Sequence, residues 1–493
     1  MKFIFGLKLN QMRESAGFSL KELSDKAGIS PSYINEIEKG KKYPKADKIV
    51  ALATALDVSY DELVSLKLRD ELDSLSDILK NGVLQEIPFE LFGLETSDIM
   101  EIMQNAPMKF SALIDTFIKI ARNYDMRVEH LLFAAMRSYQ EMHNNYFPDI
   151  EDAAERFISD KAEFKYKTVS YSALSTFLKD KFNYEIIEEE FTHEQGLAGV
   201  RSFFIPGKKP KIILNNSLLE SQKNFILAKE IGYKVLKLSH GEKSAVLMQS
   251  PSFDALLNNF KSSYFAGALL IKRRSFVDEL RLFFKNDVWN GDAFLDIMQR
   301  FGATPEMFYH RLTQILPEFF NIDQLYFLRF HHNLTNNTYN LTKELHFSRL
   351  HQPHGIGLNE HYCRRWITLI LLKELKKKAN NTSSKQPIVG VQKSRFYQTE
   401  NEYFCASIAR PLRLTKNTNS CVTLGFVMTD TFKRKVRFWN DPSIESLIVN
   451  KTCERCAIQD CKERAAEPVI YEKELNVKRG QESLEKLLEK YGE

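Results

Sequence analysis

Three cysteines crowd one short stretch of this chain, Cys453-x-x-Cys456-x-x-x-x-Cys461. Thiolates two and four residues apart can reach a common centre without backbone strain, and such spacing is ordinary at iron–sulfur and zinc sites. Four ligands are the rule there, and Cys363, in Cys363-Arg-Arg-Trp366, is the candidate fourth. Cys405 and Cys421 fall in strand-like segments and read as small apolar core residues. A different chemistry is written into Pro31 to Lys39. Coiled as a helix, this stretch turns Ile34 and Ile37 inward and leaves Ser32, Tyr33, Asn35 and Glu36 outside. Asn pairs with adenine edges, and Ser and Tyr serve bases or phosphates. Lys39, Lys41, Lys42 and Lys45 follow directly and suit phosphate contacts.

The elements that must hold this polar face are marked in the sequence. Ser19 with Glu22 three residues on forms a capping box for a helix that runs to Ala27. Gly28 makes the turn, Ser30 caps the next helix, and Pro31 occupies its first position. Helix, Gly turn and polar-faced helix are the geometry that enters a DNA major groove. Residues 7–65 resemble the Cro/repressor-type (XRE) helix-turn-helix family, with Arg13, Leu23, Ala27, Gly28, Ile34, Ile37, Glu38, Gly40, Pro44, Leu52 and Leu56 at its pattern positions. The resemblance implies an all-α, lambda-repressor-like module. It departs at Leu20, where the family often has a Gln that braces the DNA backbone.

Residues 222–236 resemble the helix of ImmA/IrrE-type metallopeptidase-like domains. That family carries H-E-x-x-H, in which two His bind zinc from one helix face and the Glu activates water. Here the frame reads Lys229-Glu230-Ile231-Gly232-Tyr233. The glutamate stands, but both zinc histidines are gone, so no catalytic residue is expected and the domain reads as degenerate scaffold.

At 493 residues the chain needs two to four domains at roughly 150 residues each. Net charge is only +5, so DNA affinity must come from a local patch rather than the bulk charge. The apolar runs Phe265 to Ile271 and Trp366 to Leu372 are too short to span a bilayer. The opening MKFIFGLKLN is interrupted by Lys8 and Asn10 and makes a poor signal peptide, so a cytoplasmic location without membrane contact is expected. The expected fold is multidomain and α-dominant α+β. A helix-turn-helix spans 1–66. A helical connector over 67–147, a candidate dimerisation segment, carries apolar spacing at Leu113, Phe117 and Ile120. The peptidase-like domain covers 148–290, an α+β sensor domain with the cysteines 291–470, and a charged helical tail 471–493. Strands are expected at Glu185 to Glu188, Lys211 to Leu214, Gln324 to Phe330, Tyr403 to Ile408 and Val422 to Met428, with polar loops over Asn333 to Asn340 and Lys376 to Gln386.

Asn145-Tyr-Phe-Pro148, Phe265-Ala-Gly-Ala-Leu269, Arg300-Phe-Gly302 with His310-Arg-Leu-Thr313, and Cys453 to Pro468 extend the likeness over nearly the whole chain. In these passages it resembles bacterial short-chain acyl regulators of propionate and glyoxylate metabolism. The resemblance implies an acyl-CoA effector and a [4Fe–4S] cluster on Cys363, Cys453, Cys456 and Cys461, with zinc as the alternative metal. For the effector, Lys272, Arg273, Arg274 and Arg311 are candidate phosphate contacts, and Tyr264 and Phe308 candidate walls of an acyl slot. Double-stranded operator DNA is the expected partner. Ser30, Ser32, Tyr33, Asn35, Glu36, Lys39, Lys41 and Lys42 are expected at its interface, two copies of the chain acting as a homodimer or larger homo-oligomer. The competing readings are a metal-dependent peptidase acting on a repressor and an antitoxin-like DNA-binding protein without a ligand.

Overall fold

The computed structural model describes residues 2–65, 98, 128–191, 197, 199–239, 253–347, 360–381 and 386–491. The chain divides into two compact units, Met1–Tyr139 with Gln249–Leu257, and Gln140–Met248 with Asn258–Glu493. The apolar positions Leu113, Phe117 and Ile120 of the expected connector lie outside the described residues. Among the described residues no helix is long and apolar enough to cross a membrane.

The first unit opens with five helices, α1 (Lys2–Ser15), α2 (Leu20–Ala27), α3 (Pro31–Glu38), α4 (Ala46–Leu56) and α5 (Tyr60–Val64). The apolar opening segment is α1, and its Phe5 and Leu9 join Leu23, Ile34, Ile37, Leu52 and Leu63 in one core. Gly6 lets α1 lie directly on α3, since a Cβ there would stand 2.5 Å from the Ile37 carbonyl oxygen. Ser19 and Glu22 close the capping box on α2, and Gly28 turns left-handed at φ 62° to end it. Leu20 packs against the core. Arg13 locks α1 to α3 with Nε 2.7 Å and Nη2 3.0 Å from the two Glu38 carboxylate oxygens, and donates to the Phe18 carbonyl at 2.8 Å. Asn10 donates a further hydrogen bond to Glu38. A side chain that fills both lone-pair directions of a buried carboxylate fixes the helix crossing as well as neutralising it.

Helix α6 (Val128–Met142) runs across the division at Tyr139, and in the second unit α7 (Pro148–Ser159) and α8 (Tyr171–Phe182) lead into a small sheet. This sheet has β1 (Glu185–Glu189), β2 (Ser202–Ile205) and β3 (Lys211–Asn215) in the order β1-β3-β2, β1 parallel and β2 antiparallel to β3. Next come α9 (Glu220–Val235), α10 (Phe253–Leu270), α11 (Arg273–Phe284), α12 (Gly291–Arg300) and α13 (Pro305–Phe320). Gly232 brings α9 against α10, where a Cβ would meet the Ser262 carbonyl oxygen at 3.0 Å.

A six-stranded sheet follows, ordered β5-β4-β8-β7-β6-β9. It is built from β4 (Leu325–Asn333), β5 (Thr338–His346), β6 (Ile388–Phe396), β7 (Glu402–Pro411), β8 (Thr418–Val427) and β9 (Ser446–Val449), with α14 (Ile367–Asn381) between β5 and β6. Among the described residues of this sheet, β6 and β9 pair in parallel and the other neighbours are antiparallel. Thr423 bonds Thr368 of α14 at 2.6 Å, whereas Leu424 and Phe426 share an apolar cavity with Tyr309 and Leu312 of α13. Helices therefore cover both faces, which is why β8 is buried almost throughout instead of alternating. The stretch from Lys376, expected as a loop, is the lysine-rich end of α14, and Asn333 to Asn340 holds the β4–β5 hairpin turn and the start of β5. After the short α15 (Asp430–Lys435) and β9 comes the cysteine segment, and α16 (Val469–Tyr491) follows it.

Candidate functional site

The outer face of α3 is set by its ends. Ser30 accepts a hydrogen bond from the Tyr33 N–H at 3.4 Å, and Pro31 fills the first turn. Ile34, Ile37 and Glu38 are buried, Ser30 and Ser32 are exposed, and Tyr33, Asn35, Glu36 and Lys39 are half-buried. Lys41, Lys42 and Lys45 line the exposed turn after α3. Glu36 and Lys42 pair at 2.7 Å, and the Lys42 ammonium sits 5.5 Å from the Tyr33 ring centre. The face therefore presents Ser, Tyr and Asn donors and acceptors with a basic margin, a pattern suited to a polyanion with readable edges.

On α9, the frame of the metallopeptidase motif is filled without metal ligands. Lys229 donates to Asn259 Oδ1 at 2.5 Å, and burial lowers the pKa of its ammonium. Glu230 is buried and accepts from Tyr184 at 3.5 Å, and Tyr184 is raised by burial and by the Glu230 charge. An ammonium, a carboxylate, an amide and two phenols offer zinc only one good donor, so these residues do not fit a catalytic zinc.

Three of the expected ligand contacts are core residues, which corrects that part of the sequence reading. Arg311 is 1 % exposed, and its guanidinium is filled by both Glu151 oxygens, the Ile271 carbonyl and Gln314. Tyr264 donates to Glu151 at 2.9 Å and accepts from the Phe147 N–H. Burial alone would raise the Glu151 carboxyl, but Arg311 and Tyr264 hold it below its ordinary value. Phe308 is fully buried against Phe276 and Phe294. Arg273 is taken by Glu155 and Tyr146, and Lys272 donates to the Tyr166 carbonyl, its pKa pushed down to about 8 by burial. Arg274 is exposed. Asn145 meets Thr313 at 2.9 Å in the same interior. The passages at 145–148, 264–269 and 310–313 thus meet in one buried polar network.

A cleft that sequence reasoning missed has the charge those residues lack. It measures about 850 Å³ and is lined by Arg201, Arg329, Arg410 and Arg413 against one carboxylate, Glu306. Among the described residues only Arg329 has an acidic partner, Glu306 at 2.7 Å. Burial would raise Glu306, yet Lys343 and Arg329 hold it well below the carboxylate range. Burial and Lys343 push His310 down to about 3, and burial and Arg329 push His331 down to about 4. Both rings are neutral at pH 7, so the positive field comes from the guanidinium groups. Three of these without an ion pair suit a phosphorylated or carboxylated ligand. The four arginines come from the residue before β2, from β4, from β7 and from the β7–β8 turn, and so leave no local sequence signal.

Cys363, Cys453, Cys456 and Cys461 line one recess of about 280 Å³ together with Arg464. Two stretches about ninety residues apart are stitched together to make it. Tyr362 and Thr452 form a β-bridge, Cys363 N–H donates to the Lys451 carbonyl, and Cys453 N–H donates to the His361 carbonyl. Glu454 accepts from the His361 N–H at 2.9 Å and lies 2.7 Å from its ring Nδ1, while Glu360 binds Thr452 and Arg455. Arg464 holds the Cys453, Cys456 and Ile458 carbonyls, and the Ala465 N–H points at Cys453 Sγ at 3.3 Å. Burial pushes the Cys363 thiol up to about 11, with the Cys453 and Cys456 charges adding to it. Among the described residues no three His, Cys, Asp or Glu side chains are already arranged to hold a single metal ion. Tetrahedral zinc with bonds of about 2.3 Å needs four sulfurs nearly in contact, whereas a [4Fe–4S] cube binds each sulfur through a different iron and spreads them wider. Four thiols around one recess, with an N–H directed at a sulfur, are a donor set of the kind that iron–sulfur clusters and zinc both take. Cys405 and Cys421 lie elsewhere, buried in β7 and β8.

Comparison with known proteins gives two family matches, helix-turn-helix over residues 9–63 and IrrE N-terminal-like domain over residues 180–313. Over 75 residues the chain is 33 % identical to the HTH-type transcriptional regulator SinR of Bacillus subtilis, covering 15 % of this chain and 68 % of SinR. Over 55 residues it is 40 % identical to the transcriptional regulator ClgR of Mycobacterium tuberculosis, covering 11 % of this chain and about half of ClgR (49 %). A solved structure titled Mycobacterium tuberculosis transcriptional regulator aligns with 68 % of this chain and 93 % of its own, at 17 % identity and a TM-score of 0.46. With α1 to α5 packed as that module requires and the match spanning two thirds of SinR, the chain belongs to the XRE-type helix-turn-helix transcriptional regulators.

Proposed function

We propose that this protein is a cytoplasmic, effector-responsive transcriptional regulator that reads operator DNA as a homodimer through α3. The observation that carries the reading is the polar outer face of α3 with its lysine margin, held rigid from behind by Arg13 and Glu38. Asn35 reads a base edge, Ser30, Ser32 and Tyr33 flank it, and Lys39, Lys41 and Lys42 meet phosphates, with Glu36 positioning Lys42. Asn35→Ala is expected to weaken operator binding by about 1–3 kcal/mol and leave random DNA unaffected. Lys41→Ala is expected to lower affinity for all sequences and flatten the salt dependence. Equal losses on operator and random duplexes for Asn35→Ala, measured by fluorescence anisotropy, would refute base reading.

The effector in this reading is a short-chain acyl-CoA whose anionic end lies in the cleft of Arg201, Arg329, Arg410 and Arg413. The support is chemical: three phosphate groups need several guanidinium partners, and this cleft has four against the single carboxylate of Glu306, which pairs with Arg329. Calorimetry with acetyl- and propionyl-CoA is expected to show binding that Arg410→Ala and Arg413→Ala each weaken at least tenfold. No heat with any acyl-CoA, or parental affinity retained in both variants, would end the assignment. The cysteine recess is the seat of a [4Fe–4S] cluster on Cys363, Cys453, Cys456 and Cys461, which when bound supplies a redox-sensitive cross-link between two distant stretches. No catalytic step is assigned to Glu230, because the residues around it do not fit the metal such a step would need.

A further inference from the structure

Helix α16 leaves the cysteine segment and buries none of its residues. Its first turn is tied down, with the Ile470 and Tyr471 N–H groups donating to the Glu454 carbonyl at 3.0 and 2.9 Å. From Asn476 to Tyr491 every residue is exposed. The exposure is not matched by the sequence. Ile470, Val477, Leu484 and Tyr491 recur every seven residues, and Leu487 and Leu488 fall beside them. At about 100° per residue these positions form one narrow stripe. Glu472, Lys478, Arg479, Glu482, Glu485, Lys486 and Glu489 occupy the rest of the surface. Val477, Leu484, Leu487, Leu488 and Tyr491 are each between 53 % and 72 % exposed. Helices in proteins take most of their stability from packing an apolar face, and Gly480 in the middle of this one costs about 1 kcal/mol. Its stability calls for a partner along the stripe.

The period of seven and the charges select which partner. A seven-residue apolar repeat is the seam of a two-stranded coiled coil. The helix has five glutamates and five lysines or arginines, so its charge balances and it has no net attraction for a polyanion such as DNA. In a parallel, in-register pair the positions beside the seam meet as Asn476 with Gln481 and Ser483 with Leu488 of the other copy, so like charges meet only within the seam itself, where Lys473 faces its own copy. Lys473 is the one charge on the stripe, in the anchored first turns between Glu472 and Glu474.

We propose that α16 pairs with α16 of a second copy of this chain as a parallel coiled coil. This deepens the dimeric reading above by naming its surface. The test uses the full chain with Leu484→Cys, with Lys486→Cys on the opposite face as control and the unsubstituted chain as background. Mild oxidation is expected to cross-link Leu484→Cys into dimers several-fold more than Lys486→Cys. Leu484→Asp with Leu487→Asp is expected to weaken self-association at least tenfold in sedimentation, with the circular-dichroism signal of the folded body retained. Equal cross-linking at the two positions, or a double variant that associates as tightly as the parent, would overturn the α16 surface while leaving a dimer formed elsewhere intact. A parent chain that sediments as a monomer at all concentrations would overturn the coil and the dimer together.

Discussion

Arg311 shows how much a residue's type leaves undecided. As one basic side chain in the sensor region it reads as a phosphate contact, yet it is the ion-pair partner of Glu151 in the core. Its helix offered the clue: α13 is apolar on most sides, so an arginine there has to find an internal counter-charge. Removing one partner of a buried pair leaves an uncompensated charge. Arg311→Met is expected to destabilise its unit by about 3–5 kcal/mol, and Arg311→Met with Glu151→Leu to recover part of the loss. The pair also sets a pH dependence. The Glu151 carboxyl is held below its ordinary value, so its stabilisation is present above the unfolded-state value and fades as pH falls through the folded one. Glu151→Gln should flatten the acid limb of stability measured by thermal melting. A double variant no better than Arg311→Met, or an unchanged acid limb, would contradict this account.

At the level of elements, local signals were the legible ones. The capping box and left-handed glycine of α2 and the serine cap and proline of α3 act within four residues, and each is in place. The strands expected at Glu185, Lys211, Gln324, Tyr403 and Val422 start within a few residues of β1, β3, β4, β7 and β8, because runs of branched and aromatic residues favour a buried strand. β2, β5, β6 and β9 escaped notice: they are only partly buried along most of their length, and β5 and β6 carry polar residues such as Thr342, Lys343, Gln392 and Lys393. The arginine cleft was illegible for another reason, since its members come from four separate segments. Cys363 was found by its chemistry alone, and what places it, Glu360 and Glu454 across the Tyr362–Thr452 bridge, gave no warning in the sequence. Cys456→Ser is expected to lower iron content and melt the C-terminal region far more than Cys405→Ser or Cys421→Ser, and Cys363→Ser to reduce the visible absorbance of anaerobically prepared protein. Unchanged iron and absorbance in Cys363→Ser would exclude it as the fourth ligand, and unchanged stability and metal on replacing Cys453, Cys456 and Cys461 together would exclude the site.

For the molecule as a whole, the stitched recess imposes an order on biosynthesis. Cys363 leaves the ribosome about ninety residues ahead of Cys453, an interval of about 5–20 s at ordinary elongation rates. Through that time α14 and β6 to β8 can form, while the cavity that gathers the thiols has only one of its two walls. The strand β9, which pairs with β6, is made just before the second wall arrives. The recess can therefore close only after the stretch from Lys451 has been made. A chain halted between β8 and Cys453 would have the helix-turn-helix complete and only one wall of the recess in place.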